Sequence, residues 1–584
     1  MAPATKTAPR AAAAATAEPR PQPQPRNLAR DRSKKLRIIP LGGLGEIGMN
    51  MMVFDYGDDM FVVDVGHTFP DDDLLGVDLV IPDINYVLEN RARFRAIILT
   101  PGHEDHIGAL PYLLRHVDVP IYGSPLTLAF VRERLKEHGL DRKARLTVVD
   151  PEQIIKIGAV EVQFISVTHS IPDAYAIAMR FPFGVIIHTG DYKIDQTPMD
   201  GRPFDFHTFA RYGDEGVLAL MADSTNVERE GSTKSERTII PAIDRIIREA
   251  PRSVIFSCFS SSLHRMQIVL NAAKKHNKKV FLSGLNMIRN VRIGAEVGVL
   301  HYPPGLVYDS RDIKGTPPEQ RVILTTGSQG EPMSALSRIA LDEHQSVKVK
   351  AGDVVVLSSR IIPGNEKAIY RMINHFFRRG AEVIYQDVCD DVHVSGHAQR
   401  DEMRTMLALT RPKYLIPVHG EFRHLVEHKH LGVEMGVDPE KCFVMLDGDV
   451  IEMDADGAAR GTKIPISRIL VDGNEIGGID EVVLRDRRHL AEDGMVTVIM
   501  AIEKSTGTLV SGPDIVSRGF LHVDENEEFF ERAKEKVLEA FNASEVESRE
   551  EWAVVKTTVR TVMKKFIKAE TGRFPVILPV VLEI

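Results

Sequence analysis

The 584-residue sequence predicts a multidomain α/β protein: a layered α/β domain, a second α/β unit inserted into it or appended to it, and a small α+β unit at the end. Three observations predict it. A chain of this length exceeds what one hydrophobic core organises and suggests three or four domains. From Leu36 the sequence alternates helical stretches such as "LTLAFVRERLKEHGL" with short apolar runs punctuated by Gly, Asp or His, which is the texture of stacked sheets and helices. From about Ser232 a second series of strands, well separated by helices, begins before "KYLIPVHGE" returns to the first habit.

In chain order, residues 1–36 are rich in Ala, Pro, Gln and Arg and should be disordered, because they cannot bury enough apolar surface to offset ordering entropy. Nine Lys or Arg against two acids up to Arg37 make this a basic tail. Residues 37–230 form the first part of the sandwich, with strands predicted at "LRIIPLGG", "MFVVDVG", "RAIILT", "PIYG", "VEVQFISV", "FGVIIHTGD" and "GVLALMADST". Residues 231–385 are the inserted unit, with strands at "SVIFSCF", "KVFLSG", "RVILTTG" and "DVVVLSS". Residues 386–455 return to the sandwich, and the Gly- and Asp-rich stretch 456–480 is a predicted linker. Residues 481–584 carry the strands "MVTVIMAIE" and "FPVILPVVLEI" and two helices, one through "NEEFFERAKEKVLEAF" and one from Trp552 to Phe566. In the first of these, Phe529, Phe530, Ala533, Val537, Ala540 and Phe541 recur at helical spacing and read as core.

Composition narrows the function classes. No apolar run approaches the ~20 residues that cross a bilayer, and the N-terminal segment lacks the apolar centre of a secretory signal. Cys258, Cys389 and Cys442 are widely separated, which fits a cytoplasmic protein and argues against a disulfide framework or a thiolate zinc site. A formal charge of −9 does not advertise a nucleic-acid binder, although a basic groove can sit on an acidic protein.

Metal chemistry is the strongest functional signal. "LTPGHEDHIGALPYLL" places His103, Asp105 and His106 just past an apolar run; His169 follows "VQFISVT", Asp191 follows "VIIHTG" and His419 follows "YLIPV". Parallel strands of one sheet end on one side, so their loops can converge. Imidazole and carboxylate suit Zn²⁺ or Mn²⁺, and a carboxylate can bridge two ions. Any one of these histidines alone is more often a surface or satisfied core residue, but six potential ligands at strand ends together reverse that reading. Asp64, after "MFVV", is placed to orient a ligand.

These motifs, together with "THSIPDAYA", "HTGDYK", "ADSTN", "TGSQGEPMSALSRIA", "HVSGHA" and "PVHGE", resemble the ribonuclease J family, from about Leu36 to Ile584; "VLRDRRHLAEDG" and "GPDIVSRGF" extend the likeness into the last domain. The resemblance implies a metallo-β-lactamase αββα sandwich with an inserted α/β β-CASP domain and a small α+β C-terminal domain. It implies two ions: one at His103, His169 and Asp191, the other at Asp105, His106, Asp191 and His419. The family loop reads H-x-H-x-D-H, and its first His falls on Pro101, which has no ligand atom, so the first site is weakened. Three donors still suffice for a catalytic zinc on paper.

By the same resemblance Asp105 and His397 are catalytic, His397 protonating the leaving 3′-oxygen. His393, Val394, Ser395, Gly396 and His397 hold the phosphate of the 5′-terminal nucleotide, with Ser261 and Ser262 as further contacts. Asp223 orients rather than ligates, Leu285 stands where the family has an arginine, and Arg360 adds positive charge. A structural Ca²⁺ would take the carbonyls of Leu75 and Val77 and the carboxylate of Asp472. The implied activity is a cytoplasmic, metal-dependent ribonuclease, both 5′→3′ exonuclease and endonuclease, acting on single-stranded 5′-monophosphorylated RNA in mRNA decay and rRNA maturation. Implied assemblies are a homodimer or homotetramer and an RNA-degradation complex or the ribosome. The competing reading is an RNA-binding degradosome scaffold whose hydrolytic site Pro101 has impaired. A small-molecule hydrolase on the same fold is disfavoured by the insert and "HVSGHA".

Overall fold

A computed structural model describes residues 34–71, 73–151, 153–331, 333–362, 364–473, 475–479, 481–544 and 552–584; most of the predicted basic tail, 1–33, lies outside the described residues. Two sheets stack face to face. One has eight strands, in the order Ala458–Arg460, Ile451–Met453, Leu36–Gly42, Met51–Tyr56, Asp59–Val63, Phe94–Ile98, Pro120–Gly123 and Arg145–Val148. The other has six, in the order Tyr414–Val418, Val217–Asp223, Gly184–His188, Tyr175–Phe181, Val160–Ser166 and Ile154–Ile157. Alternation along the strands sends Phe54, Phe61 and Ile98 of the first sheet and Phe164, Ile177, Met179 and Ile416 of the second into one shared core.

Helices cover both outer faces. Pro125–Glu137 starts where Ser124 accepts a hydrogen bond from the Thr127 N–H, with Pro125 at the first helical position, and buries Leu126, Phe130, Val131 and Leu135. On the far side Phe206–Glu215 and Arg400–Thr410 pack Phe209, Tyr212, Met403 and Met406 against the second sheet. The result is the αββα sandwich expected from the sequence.

The insert is a six-stranded parallel sheet, Val307–Asp309, Lys279–Ser283, Arg321–Thr325, Val254–Ser257, Val354–Leu357 and Glu382–Ile384, with helices on both faces. It is not hinged loosely to the sandwich. Leu263, Met287 and Val291 belong to the same apolar cluster as Leu110, Phe130 and Val131, and Arg292 of helix Leu285–Val297 pairs with Glu133 at 2.9 Å.

The stretch expected as a linker, 456–480, carries more structure than its composition suggests. Ala458–Arg460 adds an edge strand to the first sheet, and Ile469–Asp472 pairs antiparallel with Leu79–Ile81. The first is a local hairpin with Ile451–Met453, but the second depends on a strand far back in the chain, which a Gly- and Asp-rich composition does not reveal. The last domain packs helices Glu527–Ala543 and Trp552–Thr571 on a three-stranded sheet, Leu509–Arg518, Met495–Ile502 and Val576–Glu583. Of the helical core positions, Phe530, Ala533, Val537 and Phe541 are buried, Phe529 packs partly buried against them, and Ala540 is half-buried.

Candidate metal centre

The parallel strands Asp59–Val63 and Phe94–Ile98 of the first sheet, and Gly184–His188, Val217–Asp223 and Tyr414–Val418 of the second, deliver their C-terminal loops to one edge of the sandwich. There the ligand atoms of Asp105, His106, Asp191 and His419 all lie within 4.8 Å of one another. His106 Nε2 is 3.1 Å from Asp191 Oδ2; His419 Nε2 is 3.4 Å from Asp105 Oδ2, and its Nδ1 is 3.3 Å from Asp191 Oδ1. Two imidazoles and two carboxylates, all buried but the half-buried Asp105, are a donor set that fits a divalent ion such as Zn²⁺ or Mn²⁺. Asp64 takes the orienting role expected of it: it accepts from the Thr100 N–H at 2.8 Å and meets His106 Nδ1 at 2.8 Å. That hydrogen bond leaves Nε2 of His106 facing the cluster. Gly66 lets the loops close, since a Cβ there would stand 1.6 Å from the Asp105 carbonyl.

Electrostatics express the same crowding. Burial opposes charge on His106 and His419, yet Asp191 and the other carboxylates outweigh it and hold both imidazoles well above the usual value. Burial likewise opposes charge on Asp191, but His106 and His419 keep its carboxyl well below the usual range.

The other predicted ion position is less complete. His169 is well prepared: its Nδ1 donates to the Gly396 carbonyl at 2.7 Å, leaving Nε2 3.6 Å from Asp191 Oδ2. His103, however, joins no group of ligand atoms among the described residues. Its Nε2 is 2.9 Å from Ser170 Oγ and its Nδ1 2.8 Å from Ser261 Oγ, so both ring nitrogens are already hydrogen-bonded. Pro101 is buried and offers nothing in place of a histidine. The donor set therefore fits an ion at Asp105, His106, Asp191 and His419. At the first position only His169 and the shared Asp191 are aligned.

The 393–397 loop runs past this edge. His397 Nδ1 lies 2.8 Å from Asp223 Oδ2, with Thr225 also bonding Asp223, so Asp223 orients His397. Asp223, Asp191, His397 and His419 also form a second cluster of ligand types. Burial disfavours charge on His397, but Asp223 and Asp191 raise it above the usual imidazole value. Gly396 is where the loop crosses His169, and a Cβ would stand 2.6 Å from that ring. Val394 is buried, and its carbonyl is taken by Arg265. Ser395 Oγ accepts from Asn226, whose Oδ1 accepts from Arg360 at 2.7 Å.

Other expected contacts fall differently. Ser261 reaches His103, as above, whereas Ser262 is buried at the start of helix Leu263–Lys275. Leu285 is exposed. The calcium expectation meets a cation of the chain's own: Arg487 donates to the Leu75 carbonyl at 2.9 Å and to Asp472 Oδ2 at 2.6 Å. A Ca²⁺ drawing on the same oxygens would meet that guanidinium, so this arrangement does not fit it. Sequence reading missed Asn50, 3.3 Å from His106 Nε2, as well as Ser170 and Arg265. Each makes its contact only through long-range folding, and even Ser170, next to His169 in sequence, bonds the distant His103.

An αββα sandwich with imidazoles and carboxylates gathered at one edge defines a metallo-β-lactamase-type hydrolase. The comparisons agree and go further. Residues 44–222 match the metallo-beta-lactamase superfamily, 251–376 the ribonuclease J beta-CASP domain, 387–445 the Zn-dependent metallo-hydrolase RNA specificity domain, and 482–584 the ribonuclease J C-terminal domain. Ribonuclease J of Thermus thermophilus is 41% identical over 559 residues, covering 94% of this chain and 95% of the relative. Ribonuclease J2 of Bacillus subtilis is 38% identical over 95% of this chain and all of the relative, and ribonuclease J of Synechocystis is 39% identical over 94% and 86%. A solved protein of unknown function from Enterococcus faecalis shares the fold with a TM-score of 0.50 at 16% identity, over 72% of this chain and all of its own. The chain belongs to the ribonuclease J family of metal-dependent ribonucleases.

Proposed function

We propose that this chain hydrolyses single-stranded RNA in the cytoplasm, as a 5′→3′ exonuclease favouring a 5′-monophosphate and as an endonuclease, in mRNA decay and rRNA maturation. The observation that carries the reading is the convergence of Asp105, His106, Asp191 and His419 beside His397, at an edge where the sandwich meets the insert. An ion held there supplies Lewis-acid chemistry that activates water near neutral pH. The chain's own part follows from its hydrogen bonds. Asp64 holds His106 through Nδ1 and leaves Nε2 for the ion, while Asn50 donates to the Asp105 carbonyl at 3.2 Å. Asp223 accepts from Nδ1 of His397, which leaves Nε2 to protonate the leaving 3′-oxygen. The 393–397 loop receives the terminal phosphate, with Arg360 adding charge nearby.

Pro101 and the serine-bonded His103 favour a second reading, an RNA-binding scaffold with little hydrolysis. Purified chain with Mn²⁺ or Zn²⁺ and 5′-monophosphorylated RNA separates the two. Release of mononucleotides supports the nuclease, and tight binding of intact RNA supports the scaffold. Under the nuclease reading, Pro101→His restores a donor beside His169 and should raise turnover about tenfold or more, consistent with the effect of a single metal-site group. A turnover unchanged by that substitution would mean that position 101 does not limit the centre.

A further inference from the structure

Behind the 393–397 loop lies a buried ion pair that the chemistry above does not use. Arg265, in the first turn of helix Leu263–Lys275, is 1% exposed. Its Nη2 donates to both carboxylate oxygens of Glu236, at 2.8 and 3.0 Å, and to the Val394 carbonyl at 3.1 Å. Its Nη1 donates to the Ser358 carbonyl at 2.7 Å and meets Nδ1 of His393 at 2.8 Å. A guanidinium only donates and stays charged. Nδ1 of His393 must therefore be the bare, accepting nitrogen, and the hydrogen of the neutral ring must sit on Nε2. Burial, then the charges of Arg265, Lys193 and Arg360, keep His393 well below the usual imidazole value, so a second proton is disfavoured. Ser395 is committed in the same sense: its Oγ accepts from Asn226 Nδ2 at 2.8 Å and from the His397 N–H at 3.2 Å, so its own hydroxyl hydrogen is left for another acceptor.

We propose that Arg265 is a positioning residue that makes His393 an obligate Nε2–H donor, and that this donor, with the Ser395 hydroxyl, receives the terminal phosphate monoester of RNA. The identity of the ligand rests on the nuclease reading; the tautomer does not. A phosphate offers only acceptors to such a loop, and an imidazole presenting a lone pair would repel it. Glu236 neutralises Arg265, so the arginine acts through donor direction rather than through added charge.

The test has two arms. In full-length chain labelled with ¹⁵N-histidine, the His393 signals, identified by their loss in His393→Phe, should show bare Nδ1 and protonated Nε2 across the neutral range. Binding is then measured in chelator, without hydrolysis, using one short RNA with either a 5′-monophosphate or a 5′-hydroxyl. Arg265→Lys keeps a charge beside Glu236 but loses the planar fork. It should weaken the phosphorylated RNA about tenfold, the scale of one charge-assisted hydrogen bond, and leave the hydroxyl RNA unchanged. Adding His393→Gln, whose amide donates without help from an arginine, should recover most of the preference. A protonated Nδ1, or a phosphate preference untouched by Arg265→Lys, overturns the proposal. Should Arg265→Lys fail to fold, the wild-type tautomer and the contrast of His393→Gln with His393→Phe decide it: preference kept by Gln and lost in Phe supports it, preference kept by both overturns it. Wild-type chain that binds both RNAs equally would overturn the 5′-phosphate reading of the site, while the tautomer still judges Arg265.

Discussion

Asp64 sits in left-handed backbone, φ 60°, and is nearly inaccessible to solvent. A non-glycine residue there is strained, and such strain collects where geometry serves a site. Its carboxylate links Thr100, at the strand end, to Nδ1 of His106, and so fixes which nitrogen of His106 faces the cluster. Asp64→Asn keeps the shape but replaces one accepting oxygen with a donor. Zinc affinity, measured by calorimetric titration of chelator-stripped chain, should fall by about 10–100-fold. Unchanged affinity would show that His106 needs no such support. At this scale the sequence makes the clustered side chains visible, because Asp105, His106, Asp191 and His419 each stand just past a strand whose apolar run is plain. Their supports are not visible in the same way. Asn50 and Ser170 carry ordinary polar side chains, and only the folded chain brings them to a ring nitrogen.

Elements with a strong apolar period are recovered almost to the residue: "PIYG" is the strand Pro120–Gly123, and "NEEFFERAKEKVLEAF" lies within one turn of helix Glu527–Ala543. The strand Leu509–Arg518 escapes notice because Gly512 and Pro513 interrupt it and read as a turn; the sheet absorbs them in register shifts opposite Ile499–Ile502. Minute elements escape too. The parallel pair Leu44–Gly45 and Gly420–Glu421, which helps set the His419 loop, is too short for any periodicity. It is tied down by Asp447, whose Oδ1 accepts from the Leu44 N–H at 3.1 Å. Burial and the neighbouring Glu46 push the Asp447 carboxyl up to about 7. Because that folded value lies above the unfolded one, the protonated form is favoured by folding. Its contribution is complete below the unfolded pKa of ~3.9 and is lost as pH rises through the folded value. Asp447→Asn keeps an acceptor for Leu44 and cannot ionise. Its melting temperature should approach that of wild type at about pH 4 and exceed it by about 2–4 °C at about pH 8. A gain of the same size at both pH values would count against this account.

Across the whole molecule, the return of the chain from the insert to the sandwich is what unites the centre, since His419 and the 393–397 loop come from the far side of a 155-residue excursion assigned to residues 231–385. The αββα layers and the insert follow from strand texture. How the C-terminal domain is anchored does not, because it depends on side chains meeting a loop about four hundred residues earlier. Arg487, in helix Glu481–Asp493, reaches the Leu75 carbonyl and Asp472, and a side chain at Gly76 would collide with Nη1 at 2.8 Å. Beside it Ile479 and Leu484 pack with Met49, Val77 and Val80 in a small apolar cluster. The guanidinium thus joins first domain, connecting strand and last domain at one point, with planar two-ended donation that a point charge would not reproduce. Arg487→Ala leaves two oxygens without their cation. Hydrogen exchange in Leu79–Ile81 and Ile469–Asp472 should then accelerate about tenfold, the scale of one charge-assisted bond, while the sheet at Gly184–His188 exchanges as before. Calcium chelation of the wild-type chain should leave that exchange unaltered. If chelation loosens the strands and Arg487→Ala does not, a metal rather than the arginine holds the joint.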